Sequence, residues 1–529
     1  MADSAEIASI PGPYTALLQP GGQGWYDQWI QPDPTRTLPG LGIPTRVVFG
    51  LEELFQNIGS IAGIPLNGIL QAGPQDFQNI GYYFSATGAD LTTHPDQQAG
   101  IFIPTGELPN GDGGVCVFAG NDGGVFRQCV LPGQPFDNRL WGGGANTGFY
   151  TLLPYGLGVA KDGTVWFGLQ DNGSGHIEPD TRESLQDFGG DGIFAEVDPD
   201  NSDIAYTETP NGSLVRTVDR GGTSTDISPS FTRPNFSNWF SLDPLDGQHM
   251  ITTASEIYET VAARTVTGAA WVEVWNLGYN EKNDAVFTAT VGDVQGPAIY
   301  VGACGDCGIT VNDEGFQNKM ATNVGGTKPP VPETSDGWHD AAAKGLPNRL
   351  ITAIEIDPAD PKTVYVGLGD YMSPYRGPGS FGEESGDADV TAGNLFKSTD
   401  AAATFTSIQG DLPAAPVTTI LARDGQLIVG TDFGAFIATD NKGSSWAPLG
   451  NGLPNVPVTM FKLQPGNPNR LFASTFGRHI WTYDFPADAR IAVDATELGA
   501  PADGSRFGGA LGAPMLALLL LAGLRRRRK

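Results

Sequence analysis

Aspartates in repeated turns carry the chemistry that this sequence offers. Short apolar runs that end in glycine and then an acid recur from Val117 to Asp122, Val165 to Asp171, Val364 to Asp370 and Leu427 to Asp432, and Asp191 stands between Gly190 and Gly192. Glycoside hydrolysis needs two carboxyls, one donating a proton and one acting as base or nucleophile. Asp171 and Asp191 are the candidates for that pair. Asp122, Gln170, Asn172, Asp370 and Asp432 are candidates for ligand binding, because equivalent positions of a radial repeat fall on one ring and bring their polar groups to one mouth. The same acids have a local use, since Asp beside Gly commonly binds the amides of its own tight turn. Sequence carries no distances with which to separate the two uses. No cofactor is expected, although such carboxylates have the chemistry to hold a calcium ion.

Histidine and cysteine narrow the chemistry further. His94 and Asp96 would make half of a metal site; in the xyloglucanase-type propellers that this stretch resembles a second histidine follows, and Gln98 stands in its place here. His176, His249, His339 and His479 are scattered, with no H-E-x-x-H pair, so no metal site is expected. If Asp122 and Gly123 form a two-residue hairpin loop, Asn121 pairs with Gly124 and Cys116 falls opposite Cys129, a cross-strand disulfide suited to an oxidising compartment. Cys304 and Cys307 have thioredoxin spacing, yet the residues after them read as strand instead of the helix that would lower a thiol pKa. A small local disulfide is expected there as well. Trp25, Tyr26, Trp29, Trp141, Trp239, Tyr371 and Tyr375 lie near unit starts and loops, where they either stack on a sugar or fill the interfaces between sheets.

These residues need a scaffold, and 529 residues with 73 Gly, 40 Pro and only 17% charged residues describe a chain full of turns with little helical periodicity. Nine units start near Trp25, Pro95, Phe149, Ile193, Trp239, Val286, Leu350, Val417 and Val458. Asp33-Pro34, Asp198-Pro199, Asp243-Pro244 and Asp357-Pro358 read as turns in which proline presets φ and aspartate caps its own backbone. Gly345-Leu346-Pro347, Asp411-Leu412-Pro413 and Gly452-Leu453-Pro454 open units in the C-terminal half. Sheets arranged radially remove the edge-strand problem, so the expected fold is all-β, a β-propeller of about 7–9 four-stranded blades, truncated at the N-terminus if the start is incomplete. The short last unit is expected to be completed by a strand from the N-terminal region. The organisation reads as an N-terminal extension over 1–24, the propeller over 25–486, a linker over 487–507 and a C-terminal segment over 508–529. Residues 372–392 form an acidic, Gly-rich insertion in which Asp387 and Asp389 fit no EF-hand spacing; disorder is expected there.

Two groups of segments resemble known families. Ser398-Thr399-Asp400 with Thr404-Phe405, Thr217-Val218-Asp219 with Gly221 and Thr223, and Ala438-Thr439-Asp440 with Gly443 and Trp446 resemble the Asp-boxes of bacterial-neuraminidase repeats, a resemblance that implies a structural role for these aspartates. The stretch from His94 through Gln98, the Gly120-to-Val125 turn, Gln170 to Gly173 and Gly189 to Gly192 are similar to signatures of sortilin-like and xyloglucanase-type propellers. That likeness spans roughly 25–486 and implies the fold, while the group itself mixes hydrolases, receptors and binding proteins.

The C-terminus carries a third resemblance. Gly508-Gly509, an apolar run from Ala510 to Leu524 and the cations Arg525, Arg526, Arg527, Arg528 and Lys529 are similar to the GlyGly-CTERM sorting signal, which implies a Gram-negative host, transient membrane anchoring, processing by a rhomboid-like protease and a cell-surface or secreted product. The competing reading is a buried C-terminal helix, which five terminal cations disfavour. Met1 to Glu6 carry neither the basic nor the apolar region of a signal peptide, so the start is read as misassigned or the chain as a fragment. The net charge is −29, or −34 without the cationic tail, and a surface so acidic repels nucleic acid and anionic lipid. The expected function is an exported, surface-sorted propeller that binds extracellular polysaccharide or protein. The alternative is a xyloglucanase-like glycoside hydrolase acting on neutral glucans.

Overall fold

Alternating β-branched and aromatic residues between glycine-bearing turns favour antiparallel hairpins, and the described residues form nothing else of length. The computed structural model describes residues 27–37, 46–57, 77–81, 92–107, 113–131, 134–142, 146, 148–232, 234, 237–278, 290–305, 316–369, 393–423, 425–439 and 443–486. Seven four-stranded and two three-stranded sheets, all antiparallel, account for the described strands, with only two short 3-10 turns beside them. No helix among the described residues is long and apolar enough to cross a membrane. The extension over 1–24, the linker over 487–507, the sorting segment over 508–529, the insertion over 372–392, Asp370, Cys307 and the side chain of Cys304 lie outside the described residues.

The nine sheets begin at Trp29, Gln97, Pro154, Ala195, Trp239, Thr290, Ile351, Val417 and Val458, within a few residues of the nine starts read from the sequence. They divide between two compact units, Met1–Thr151 and Leu152–Lys529. The first unit holds two sheets. One orders Trp29–Pro32, Val47–Gly50, Leu54–Asn57 and Phe77–Asn79, the other Gln97–Pro104, Val115–Asn121 and Gly124–Val130. Both feed one core around Val48, Leu54, Phe102, Val117 and the fully buried Trp141. Asn121 pairs with Gly124 and Cys116 with Cys129, and the two cysteines are bonded.

The second unit holds seven sheets, numbered here as blades 1 to 7 over 154–188, 195–226, 239–276, 290–340, 351–407, 417–448 and 458–484. The first strand of each blade packs on the first strand of the next, and Val458–Gln464 of blade 7 returns to Pro154–Val159 of blade 1. Each of the seven interfaces has its own apolar cluster; at the closing one Phe472 of blade 7 packs with Leu157, Val159 and Phe167 of blade 1. This is a closed β-propeller. Blade 7 has three described strands, all its own, and the fourth expected from the N-terminal region is not among them. Among the described residues closure comes from face-to-face packing and from Thr459 Oγ1, which donates to the carbonyl of Pro154 at 2.8 Å.

The repeated turns behave as their residue types require. In all four Asp-Pro turns one carboxylate oxygen accepts the amide two residues on, at 2.8–2.9 Å. The other oxygen takes a donor from elsewhere: Arg46 for Asp33, Arg264 for Asp198, His249 for Asp243 and Tyr365 for Asp357. Asp219 and Asp400 accept both the amide and the hydroxyl of the threonine four residues later. Bonds to Thr223 and Thr404 hold these two carboxyls below the usual range. Asp440 lies outside the described residues, while Trp446 of that turn is buried among the blade 5 and blade 6 residues.

Candidate functional site

Strand polarity places the candidates of the second unit. In an antiparallel meander the hairpin between the second and third strands emerges at the same end as the link to the next blade, so Gln170, Asp171, Asn172, Asp191 and Asp432 share one end of the propeller. Within that end Asp171 and Asp191 meet: a carboxylate oxygen of Asp191 accepts the amide of Asp171 at 2.9 Å. Asp171 has φ 57°, the left-handed region that Asp and Asn tolerate better than most residues. Gly173 follows at φ 72°, and a Cβ there would fall 1.9 Å from the carbonyl oxygen of Phe188, so the turn requires glycine. The Asn172 side chain donates to the Gln170 carbonyl at 3.0 Å, and Tyr155 donates its hydroxyl to the Gln170 side chain at 2.9 Å. The ring of Phe476 from blade 7 lies 5.9 Å from that of Tyr155. Asp432 is buried in the blade 6 hairpin beside Phe433, which is exposed. Amides, carboxylates and two half-buried rings therefore border one patch at blades 7 and 1.

A second cluster lies in the first unit. The Gln98 side-chain amide donates to Asp27 at 2.7 Å and reaches Asp122 at 3.4 Å. Asp27 is fully buried and shares a side-chain hydrogen bond with Asp96, itself at φ 61°. Burial first, then the charges of Asp96 and Asp122, push the Asp27 carboxyl up to about 7. Burial and Asp96 also raise Glu52. Two carboxyls in direct contact hold one proton between them, because both cannot ionise at that distance. Gln98 is thus a donor to carboxylates instead of the missing half of a histidine site. The His94 carbonyl accepts from the side chains of Gln97 and Asn121.

The pair implies a pH effect. Below the ordinary aspartate pKa the folded and unfolded forms both hold the Asp27 proton. Between that value and about 7 only the folded form holds it, so the stability associated with this group is present at low pH and lost as pH rises through the window. Denaturant melts between pH 4 and 8 are expected to show this slope for the first unit, and Asp27→Asn to flatten it. Identical slopes in both proteins would remove Asp27 as its source.

Asp27 was missed in the sequence, where nothing marks it: its partners lie some 70 residues away, and it stands in no repeated turn. Two aromatic candidates are structural. Trp141 is buried and donates to the Ile80 carbonyl, and Trp239 donates to that of Gly292 while packing edge-on against Phe194. Trp29 lies half-buried over Gly100, where a Cβ would fall 2.3 Å from its ring. Trp25, Tyr26, Tyr371 and Tyr375 fall outside the described residues.

No protein-family model matches the chain, and no curated protein does. Solved structures are similar to it. A GH74 xyloglucanase from Xanthomonas campestris aligns at 16% identity with a TM-score of 0.44, over 64% of this chain and 53% of that one, so the match spans about half of the xyloglucanase. YCF48 from Cyanidioschyzon merolae aligns at 12% identity and 0.42, over 65% and 98% of the two chains, and the computationally designed Ika8 protein at 12% and 0.40, over 64% and 85%. The fold assignment rests on the strand order and closed ring above.

Proposed function

We propose that this chain is an exported propeller that binds a neutral polysaccharide outside the cell and does not hydrolyse it. The observation that carries the reading is the bond from the Asp171 backbone amide to the Asp191 carboxylate, which gives Asp191 the local use of tying its own turn. Glycosidases hold their carboxyls about 5–10 Å apart on either side of the scissile bond. Burial and the neighbouring Asp96 together raise the Asp27 carboxyl, so the two do not act as a separated acid and base. What remains at blades 7 and 1 suits binding: side-chain amides for hydroxyls, and the rings of Tyr155 and Phe476 for a pyranose face.

The acidic body supports a ligand other than nucleic acid, and the disulfide of Cys116 and Cys129 supports an oxidising compartment. On the same reading the tail from Gly508 to Lys529 is a sorting signal of GlyGly-CTERM type that anchors the product transiently until a rhomboid-like protease removes it, and the Asp219 and Asp400 turns are Asp-boxes of BNR type.

Asp171→Asn and Asp191→Asn test the site without unmaking it, since Asn tolerates the left-handed backbone at 171 and keeps an acceptor oxygen at 191. Retention on a panel of immobilised β-glucans is expected, with no release of reducing ends, and Asp171→Asn is expected to weaken retention by about tenfold, the loss of one charge-assisted hydrogen bond. Reducing-end release abolished by either variant would establish the hydrolase instead. Failure to bind any glycan would leave a protein ligand as the reading to pursue.

A further inference from the structure

The inner strands of the propeller bring four ionisable side chains to its axis from four different blades. They are Glu196 of blade 2, Asp293 of blade 4, Glu355 of blade 5 and Lys462 of blade 7. Lys462 Nζ bonds Glu196 at 2.5 Å, and the charges of Asp293 and Glu355 act on it as well. None of these three blades neighbours blade 7 in the ring.

Each carboxylate is also fixed by a backbone amide of the following blade. Glu196 accepts from Leu242, Asp293 from Ile356 at 2.9 Å, and Glu355 from Ala422 at 2.8 Å. Each acid therefore fastens its own blade to the next, and the single cation joins the acids to the last blade. Burial works against a charge on Lys462, but Glu196, Asp293 and Glu355 outweigh it and leave the ammonium more basic than usual. Burial conversely raises all three acids, with Lys462 opposing the rise in each.

The position of the cation matters because of how the ring closes. Blade 7 has three described strands, and among the described residues its hold on blade 1 consists of packing and a few hydrogen bonds such as those of Thr459 and Gln464. We propose that Lys462 is the lock of this ring, a cation at the axis that holds the closing blade to blades 2, 4 and 5, so that its removal releases blade 7 before the rest of the unit loosens. The inference is independent of what the protein binds.

Hydrogen exchange on the full chain tests it, read at amides of Val458–Gln464, Asn467–Thr475 and Pro154–Val159 against Met250–Thr253 and Glu256–Thr260 of blade 3 as internal reference. Lys462→Met is expected to speed exchange at the first three segments by about tenfold or more while the reference changes little, as expected for a local opening. Lys462→Arg keeps the charge and is expected to keep the slow exchange. Glu196→Gln retains the shape and the acceptor for Leu242 but weakens the ion pair, and is expected to speed the same segments to a smaller degree; it decides the matter if Lys462→Met does not fold. Equal acceleration in every blade, or none at blade 7 in either variant, would overturn the lock.

Discussion

Replacing His249 by leucine is expected to destabilise the propeller by about 3–5 kcal/mol, because it leaves two buried carboxylates without their cation. The His249 ring lies between Asp243, 3.3 Å from Nδ1, and Glu259, 2.7 Å from Nε2, and all three side chains are buried. Burial opposes a charged imidazole, yet the hydrogen bonds and charges of Asp243 and Glu259 prevail and lift its pKa to about 9. Glu259 extends the tie to blade 4, where its other oxygen accepts the amide of Glu333 at 2.8 Å. The folded form therefore keeps a proton that the unfolded chain releases near its ordinary value. The stabilisation is fully present below pH 6.5 and lost as pH rises through 9, on the order of 3 kcal/mol in all. Urea melts at pH 6, 8 and 10 check this. A wild-type midpoint that does not fall over that range, or a leucine variant as stable as the wild type at pH 6, would rule out a charged His249.

The second large effect belongs to the disulfide. Cys116 and Cys129 are 13 residues apart, and a cross-link over a loop of that length is worth about 3 kcal/mol through the unfolded chain. The paired substitution Cys116→Ser with Cys129→Ser is expected to lower the melting transition of the first unit and to leave that of the propeller in place, since the bond lies wholly within the first. Differential scanning calorimetry with and without reductant separates the two transitions. If both move together, the units unfold as one and the bond supports more than its own hairpin.

Legibility followed the range of the interaction. The hairpin that sets Cys116 opposite Cys129, the self-capped Asp-Pro turns and the Asp219 and Asp400 turns were all readable, because each donor and acceptor lies within a few residues of its partner or across one tight hairpin. The same locality explains why Asp171 and Asp191 looked catalytic: repeated acids beside glycine satisfy a site pattern and a turn pattern equally well. The structure shows the turn use for Asp191, which accepts the backbone amide of Asp171. Gln98 shows the converse. Read against a histidine pattern it looked like a loss, and its amide became meaningful once Asp27 stood beside it.

From residue types and spacing alone came the nine sheets, their starts, their turns and the pairing of one cysteine hairpin, since strand propensity and side-chain capping act over a few residues and leave a periodic mark. Tertiary structure decided how those sheets are shared, seven in a closed ring and two in a separate unit, and which charges meet. Lys462 and Glu196 are 266 residues apart and Gln98 and Asp27 are 71 apart. Contacts at that range depend on the curvature accumulated over whole blades, and no local preference records it.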